Sequence, residues 1–145
     1  MGQDTLVREQ LENGRKLIDS VIAEGFDVDL AFWIKETEAD NWFLYLSSPF
    51  VDQQGLFASY MLVQAVIRRM PELDIDPSEV RVVSLNDSRS VEAREAIRYR
   101  MEHGLFPLPN APISQRVSRF GGVSLGGRSI NGGYIYLPTQ PVAST

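Results

Sequence analysis

The chain has no cysteine, one histidine (His103) and only two lysines, Lys16 and Lys35. Without thiols there is no disulfide framework, no zinc–thiolate centre and no thiol nucleophile. A single histidine excludes a His-pair metal site and any two-histidine mechanism within one chain. Long apolar runs are missing too. The most hydrophobic stretch, Leu56 to Ile67, is interrupted by Ser59, Tyr60 and Gln64, and it falls far short of the ~20 residues that span a bilayer. The N-terminus lacks the basic start and apolar run of a signal peptide, and Leu6 stands where a myristoylation signal needs Ser or Thr. These absences predict a soluble, cytoplasmic protein with no membrane partner, no cofactor and no structural metal.

What remains is an ordinary globular mixture. The 145 residues are 43% hydrophobic and 23% charged, which suits one domain with a core that needs no staple. The expected domain spans 1–137, followed by a frayed tail over 138–145. Net charge is −5, which argues against general affinity for nucleic acid or anionic membrane. The acid is concentrated before residue 80, and all eight basic residues after it are arginine. Arginine forks suit planar anions and interface ion pairs; a GC-rich coding sequence produces the same bias.

Spacing predicts the elements. A first helix covers 4–24, with Val7, Leu11, Gly14, Ile18, Val21 and Ile22 forming an apolar stripe. Gly14 in its middle implies close packing or a kink. Residues 28–36 and 41–47 alternate and predict a hairpin around Thr37 to Asp40, pairing Trp33 with Leu44 and Phe32 with Tyr45. One face then carries Trp33, Trp42, Leu44 and Leu46. The other carries Leu30, Phe32, Ile34, Phe43 and Tyr45. A second helix, 56–70, has apolar residues around most of its circumference and reads as buried. Residues 80–85 form a strand parallel to one hairpin strand, because a helix separates them. A third helix covers 89–102. Three prolines make 105–112 an extended connector. Short strands follow near 115–120 and 133–137, with turns at the glycine pairs and above all at Asn131-Gly132. The expected fold is α+β, in the order α-β-β-α-β-α-β-β: a mixed four- to five-stranded sheet with three helices, mostly on one face.

The motifs are weak. Gly122-Val-Ser124-Leu-Gly126 matches a nucleophile elbow, but no helix is expected after it and His103 precedes it. Asp74, Asp76 and Ser78 begin like a calcium loop, yet Glu79 and Leu85 occupy the positions that need Gly and Glu; a plain turn is expected. Glu36, Glu38 and Asp40 read as a solvated hairpin cluster. Arg89, Arg94, Arg98 and Arg100 are interleaved with Glu92, Glu95 and Glu102 and read as a solvated, ion-paired face. His103 lies where a helix end favours a cation.

No motif carries a resemblance to a known family. The leading expectation is a non-enzymatic protein-interaction module, a homodimer meeting through the Trp33, Trp42, Leu44 and Leu46 face, with Lys35 and Asp29 at its rim. The alternative is an anion-binding domain for a phosphate-bearing ligand or nucleic acid, using Arg116, Arg119 and Arg128 beside the glycine turns. An enzyme built on carboxylates and arginine is the third reading, without an assigned catalytic residue.

Overall fold

The structure is a computed structural model and describes residues 8–36, 41–108, 110–120, 124–125 and 128–137. Its elements are α1 (Arg8–Ala23), β1 (Leu30–Glu36), β2 (Phe43–Ser47), α2 (Pro49–Arg68), β3 (Val80–Val83), α3 (Ser88–Ala96), α4 (Arg98–Glu102), β4 (Val117–Phe120), β5 (Ser124–Leu125) and β6 (Arg128–Tyr136). Five strands make one mixed sheet in the order β3-β2-β1-β6-β4, and the two-residue β5 pairs with β6 beside it. The class is α+β. Among the described residues no helix is long and apolar enough to cross a membrane.

The hairpin has the expected register, with Trp33 opposite Leu44 and Phe32 opposite Tyr45. β3 runs parallel to β2, as the intervening helix requires. Alternation along β1 and β2 then builds two cores. Ala31, Trp33, Trp42, Leu44 and Leu46 pack under α1 and α2, through Leu17, Ile18, Val21, Val63 and Val66. Leu30, Phe32, Ile34 and Tyr45 pack on the opposite face with Ala93 and Ile97 of the α3 segment. At Gly14 α1 lies tight against the sheet: a Cβ there would fall on the Tyr136 hydroxyl and within 3.1 Å of Trp33 Nε1.

Several expectations are corrected. α2 begins at Pro49, capped by the Ser48 side chain, and its path breaks at Gly55 (φ 90°, ψ 166°); residue 56 starts its second segment. It is not buried all round, since Leu56, Phe57 and Met61 are exposed. The third helix divides at Ile97 (φ −111°, ψ 7°). Asn131-Gly132 is not a turn. It lies within β6, where the register against β1 slips between Lys35 and Glu36. The extra residue is absorbed as a bulge because β1 pairs with β6 on both sides of it. The expected helix start at 4–7, the loop 37–40 and the tail 138–145 lie outside the described residues.

Candidate functional site

The chain leaves the carboxyl ends of the parallel pair in opposite directions. After β2 it passes through Ser48 into α2, which covers one face of the sheet; after β3 it passes through Ser84–Asp87 into α3, which covers the other. Neighbouring strands whose connections diverge in this way leave a crevice beyond their carboxyl ends, the usual ligand position in open sheets. A cavity of about 580 Å³ occupies this place and runs past the outer edge of β3, lined among others by Tyr45, Tyr60, Arg81, Ser84, Asp87 and Arg89.

Local chemistry holds these side chains. The Ser48 hydroxyl accepts from the Phe50 amide (3.0 Å), and Asp87 accepts from the Arg89 amide (2.9 Å), so both helix starts are capped. Arg89 Nε and Nη2 donate to the two Asp87 carboxylate oxygens at 3.1 and 3.3 Å. Its Nη1 donates to the Tyr45 hydroxyl at 3.0 Å, and the guanidinium lies 4.9 Å over the Tyr45 ring. Tyr45 in turn stacks on Phe32, centroids 5.4 Å apart. Arg81 lies 4.8 Å over Phe43. The Ser84 hydroxyl donates to Asp52 (2.9 Å), and the Tyr60 hydroxyl accepts from the Val82 amide (3.2 Å). That last bond occupies an outward amide of an edge strand and blunts the edge against strand addition. Burial works against the Asp87 charge, but the Arg89 hydrogen bonds and charge outweigh it and hold the carboxyl below the usual range. The same pairing raises Arg89. The crevice therefore keeps its charges fixed across neutral pH. It can hold and orient a ligand, and it brings no histidine beside its serine.

A second surface adjoins it. Leu56, on the crevice wall, is 55% exposed, and beside it on the outer side of α2 stand Phe57 (81%) and Met61 (51%).

Sequence-predicted residues fall elsewhere. Trp33, Trp42, Leu44 and Leu46 are buried under α1 and α2, so the face proposed for dimer contact is the chain's own core. The apolar hairpin face was assigned to a partner because the reach of the two helices is not written in its alternation. Lys35 is buried as well and is not a rim residue, while Asp29 is exposed and paired with Arg94. Arg119 sits 5.8 Å over the Tyr134 ring on β4–β6. Arg116 ends the turn before β4, and Arg128 pairs in backbone register with Leu125, its side chain lying outside the described residues. Ser124 is in β5, without a helix after it among the described residues. Asp74 and Asp76 form turns, Asp76 accepting from the Ser78 amide and hydroxyl. Arg94 and Arg98 are ion-paired with Asp29, Glu95 and Glu102. His103 stacks on Tyr99 at the end of α4. Of the Glu36, Glu38 and Asp40 cluster, only the Glu36 backbone is described. Sequence reasoning missed Tyr45, Tyr60 and Arg81 as site residues. It also missed Phe57 and Met61, which it counted among the residues of a helix buried all round.

No family model, curated protein or solved structure matches this chain.

Proposed function

We propose that this protein is a non-enzymatic interaction module whose partner is a second copy of itself, joined through the outer face of α2. One observation carries the reading: Phe57 and Met61, one turn apart on the outer face of α2, are each more than half exposed, and Leu56, also more than half exposed, adds apolar surface on the crevice side. At ~200 Å² per large side chain they display on the order of 400 Å² of apolar surface, as much as a monomer ordinarily leaves to water.

Charge and shape favour a second copy as the occupant. Phe57, Met61, Ala65 and Arg68 follow one another down the outer side of α2, and all four are exposed. Two helices related by a two-fold axis beside Met61 run antiparallel, which sets Phe57 against the small Ala65 of the second copy. Arg68 has no ion pair among the described residues. In this arrangement it approaches the end of the second helix that carries Asp52, and closed two-fold pairs are the commonest assemblies. With its polar rim the contact buries roughly 1,000–1,200 Å² in total, the low end for specific interfaces, so a micromolar dimer is expected.

Sedimentation equilibrium from ~5 to ~500 µM tests this, over the range where a micromolar dimer dissociates. The expected result is a monomer–dimer equilibrium that Phe57→Asp abolishes while the far-UV circular dichroism is unchanged. A single-chain mass at the highest concentration, or a dimer that tolerates Phe57→Asp, overturns the proposal.

A further inference from the structure

The crevice at the ends of β2 and β3 is rich in hydrogen-bond donors. Tyr45 is only 6% exposed; its hydroxyl accepts from Arg89, and its own proton has no acceptor among the described residues. The Tyr60 hydroxyl accepts from Val82 and is likewise left with a proton to give. Buried hydroxyls normally both give and accept, so a buried tyrosine proton facing a cavity marks the place of a missing acceptor. Arg81 adds a guanidinium that is stacked on Phe43 but forms no ion pair among the described residues. Stacking orients its planar fork, the geometry that grips a carboxylate through two parallel bonds.

The charges set the number of negative charges a ligand brings. Arg89 is balanced by Asp87, which leaves Arg81 as the one unbalanced charge on the lining. Asp52 stands outside the lining, turned to Ser84. That balance suits one negative charge and disfavours two. The helix starts contribute nothing further, because Ser48 and Asp87 already occupy them. The rest of the wall is apolar, made by Val51, Leu56, Val82 and Val83.

From this geometry we infer that the crevice binds a monoanionic carboxylate carried on an apolar body, with Arg81 and the Tyr45 hydroxyl, side by side on neighbouring strands, holding the carboxylate oxygens and Tyr60 lining the wall at the strand edge. This chemistry is shared by small apolar acids and by the free C-terminus of an apolar peptide. The inference does not rest on self-association, although Leu56 belongs to both surfaces; the titrations are therefore run on the Phe57→Asp chain as well, so that failure of one reading is separable from failure of the other.

The experiment is an NMR-detected titration with 3-phenylpropionate, 3-phenylpropionamide, inorganic phosphate, and a short apolar peptide with either a free or an amidated C-terminus. Saturable binding of phenylpropionate is expected, at least about tenfold tighter than its amide, since a charge-assisted fork is lost with the charge. Arg81→Gln and Tyr45→Phe should each weaken it several-fold. Arg81→Gln should leave the urea midpoint in place, because Arg81 is exposed, whereas Tyr45→Phe retains the stack on Phe32 but releases the Arg89 hydrogen bond and should lower the midpoint slightly. Tighter binding of the free-ended peptide than of phenylpropionate assigns the carboxylate to a chain end, and the reverse order assigns it to a small acid; both uphold the inference. Equal binding of acid and amide, phosphate binding as tightly as the acid, indifference to Arg81→Gln, or no saturation with any carboxylate probe overturns it.

Discussion

Gly14→Ala inverts the usual effect of its substitution. In an exposed helix interior, replacing Gly by Ala stabilises by ~1 kcal/mol, because glycine loses more backbone freedom on folding. At position 14 of α1 the new methyl group would fall on the Tyr136 hydroxyl, with Trp33 Nε1 and Cζ2 at 3.1 and 3.2 Å. None of these atoms is a free end. Tyr136 is buried, donates to the Leu11 carbonyl at 2.6 Å and accepts from Trp33 Nε1 at 2.9 Å. Either α1 lifts off the sheet or the hydroxyl leaves its two partners. Overpacking of this kind costs ~1–3 kcal/mol, and a buried donor or acceptor left unmade costs ~1–3 kcal/mol more. Against the propensity gain, a net loss of ~1–5 kcal/mol is expected, the upper end where the hydroxyl leaves its partners. Urea unfolding followed by tryptophan fluorescence and circular dichroism measures it. Tyr136→Phe removes the atom the methyl group strikes, so in that background Gly14→Ala should cost markedly less, giving a coupling of ~1–2 kcal/mol in the double-mutant cycle. A stabilised Gly14→Ala chain, or additive effects in the cycle, would refute the reasoning.

Tyr136 and Ser48 give two further outcomes. Burial raises the Tyr136 hydroxyl pKa above its ordinary value, against smaller opposing effects of the Trp33 hydrogen bond, Arg15 and Arg116. The unfolded chain releases this proton near the ordinary tyrosine value of ~10, so stability is intact below that pH and falls as pH rises beyond it; urea midpoints between about pH 9 and 11 should show the fall and lose part of it in Tyr136→Phe. Ser48 is fully buried and caps α2 through the Phe50 amide. Ser48→Ala should therefore cost ~1–2 kcal/mol, measured by the same unfolding curves, and a cost below a few tenths would show that the cap is not holding the helix start.

Local patterns were readable where the physics is local. Alternation in 28–36 and 41–47, closed by a short polar loop, was enough to set Trp33 against Leu44, because a one-residue slip would turn both apolar sets over. The helix between 47 and 80 made β3 parallel to β2. Gly14 implied close packing or a kink, and it is close packing that Tyr136 supplies, from 122 residues further along the chain. Asn131-Gly132 misled because such a pair turns a chain only when the strands on either side of it pair with each other. Here both sides belong to β6, which lies between β1 and β4 after the pair and is held by β5 and the end of β1 before it, and the lattice of backbone bonds overrode the turn preference. The second helix misled for a related reason. Counting apolar residues around a helix says how much surface wants cover, and nothing about which side a neighbour reaches. α1 and the sheet reach Val63, Val66 and Ile67, and leave Phe57 and Met61 in water.

The crevice was illegible as a motif, yet its position was implicit. Arg89 and Tyr45 are 44 residues apart, and Tyr60 reaches Val82 across 22. No short pattern holds such spacings, because chain crossing assembles them. What the sequence does carry is a cap residue shortly after each of two parallel strands: Ser48 directly after β2, and Asp87 a short loop beyond β3. A cap so close to a strand end means that a helix starts at that strand's carboxyl end. Two such starts on neighbouring parallel strands must either share one face of the sheet or part to opposite faces. The second arrangement opens a crevice between them. Here the faces are decided by burial: Val63 and Val66 of α2 join the Trp33 side, and Ala93 of α3 joins the Phe32 side. The site residues are then those that point out of the last turns of β2 and β3 or the first turns of the two helices. Ser84 and Arg89 meet that description, and Tyr45 and Arg81, paired within the strands, extend the wall from it, so strand direction and caps together locate the mouth of a site that no residue-type motif announces.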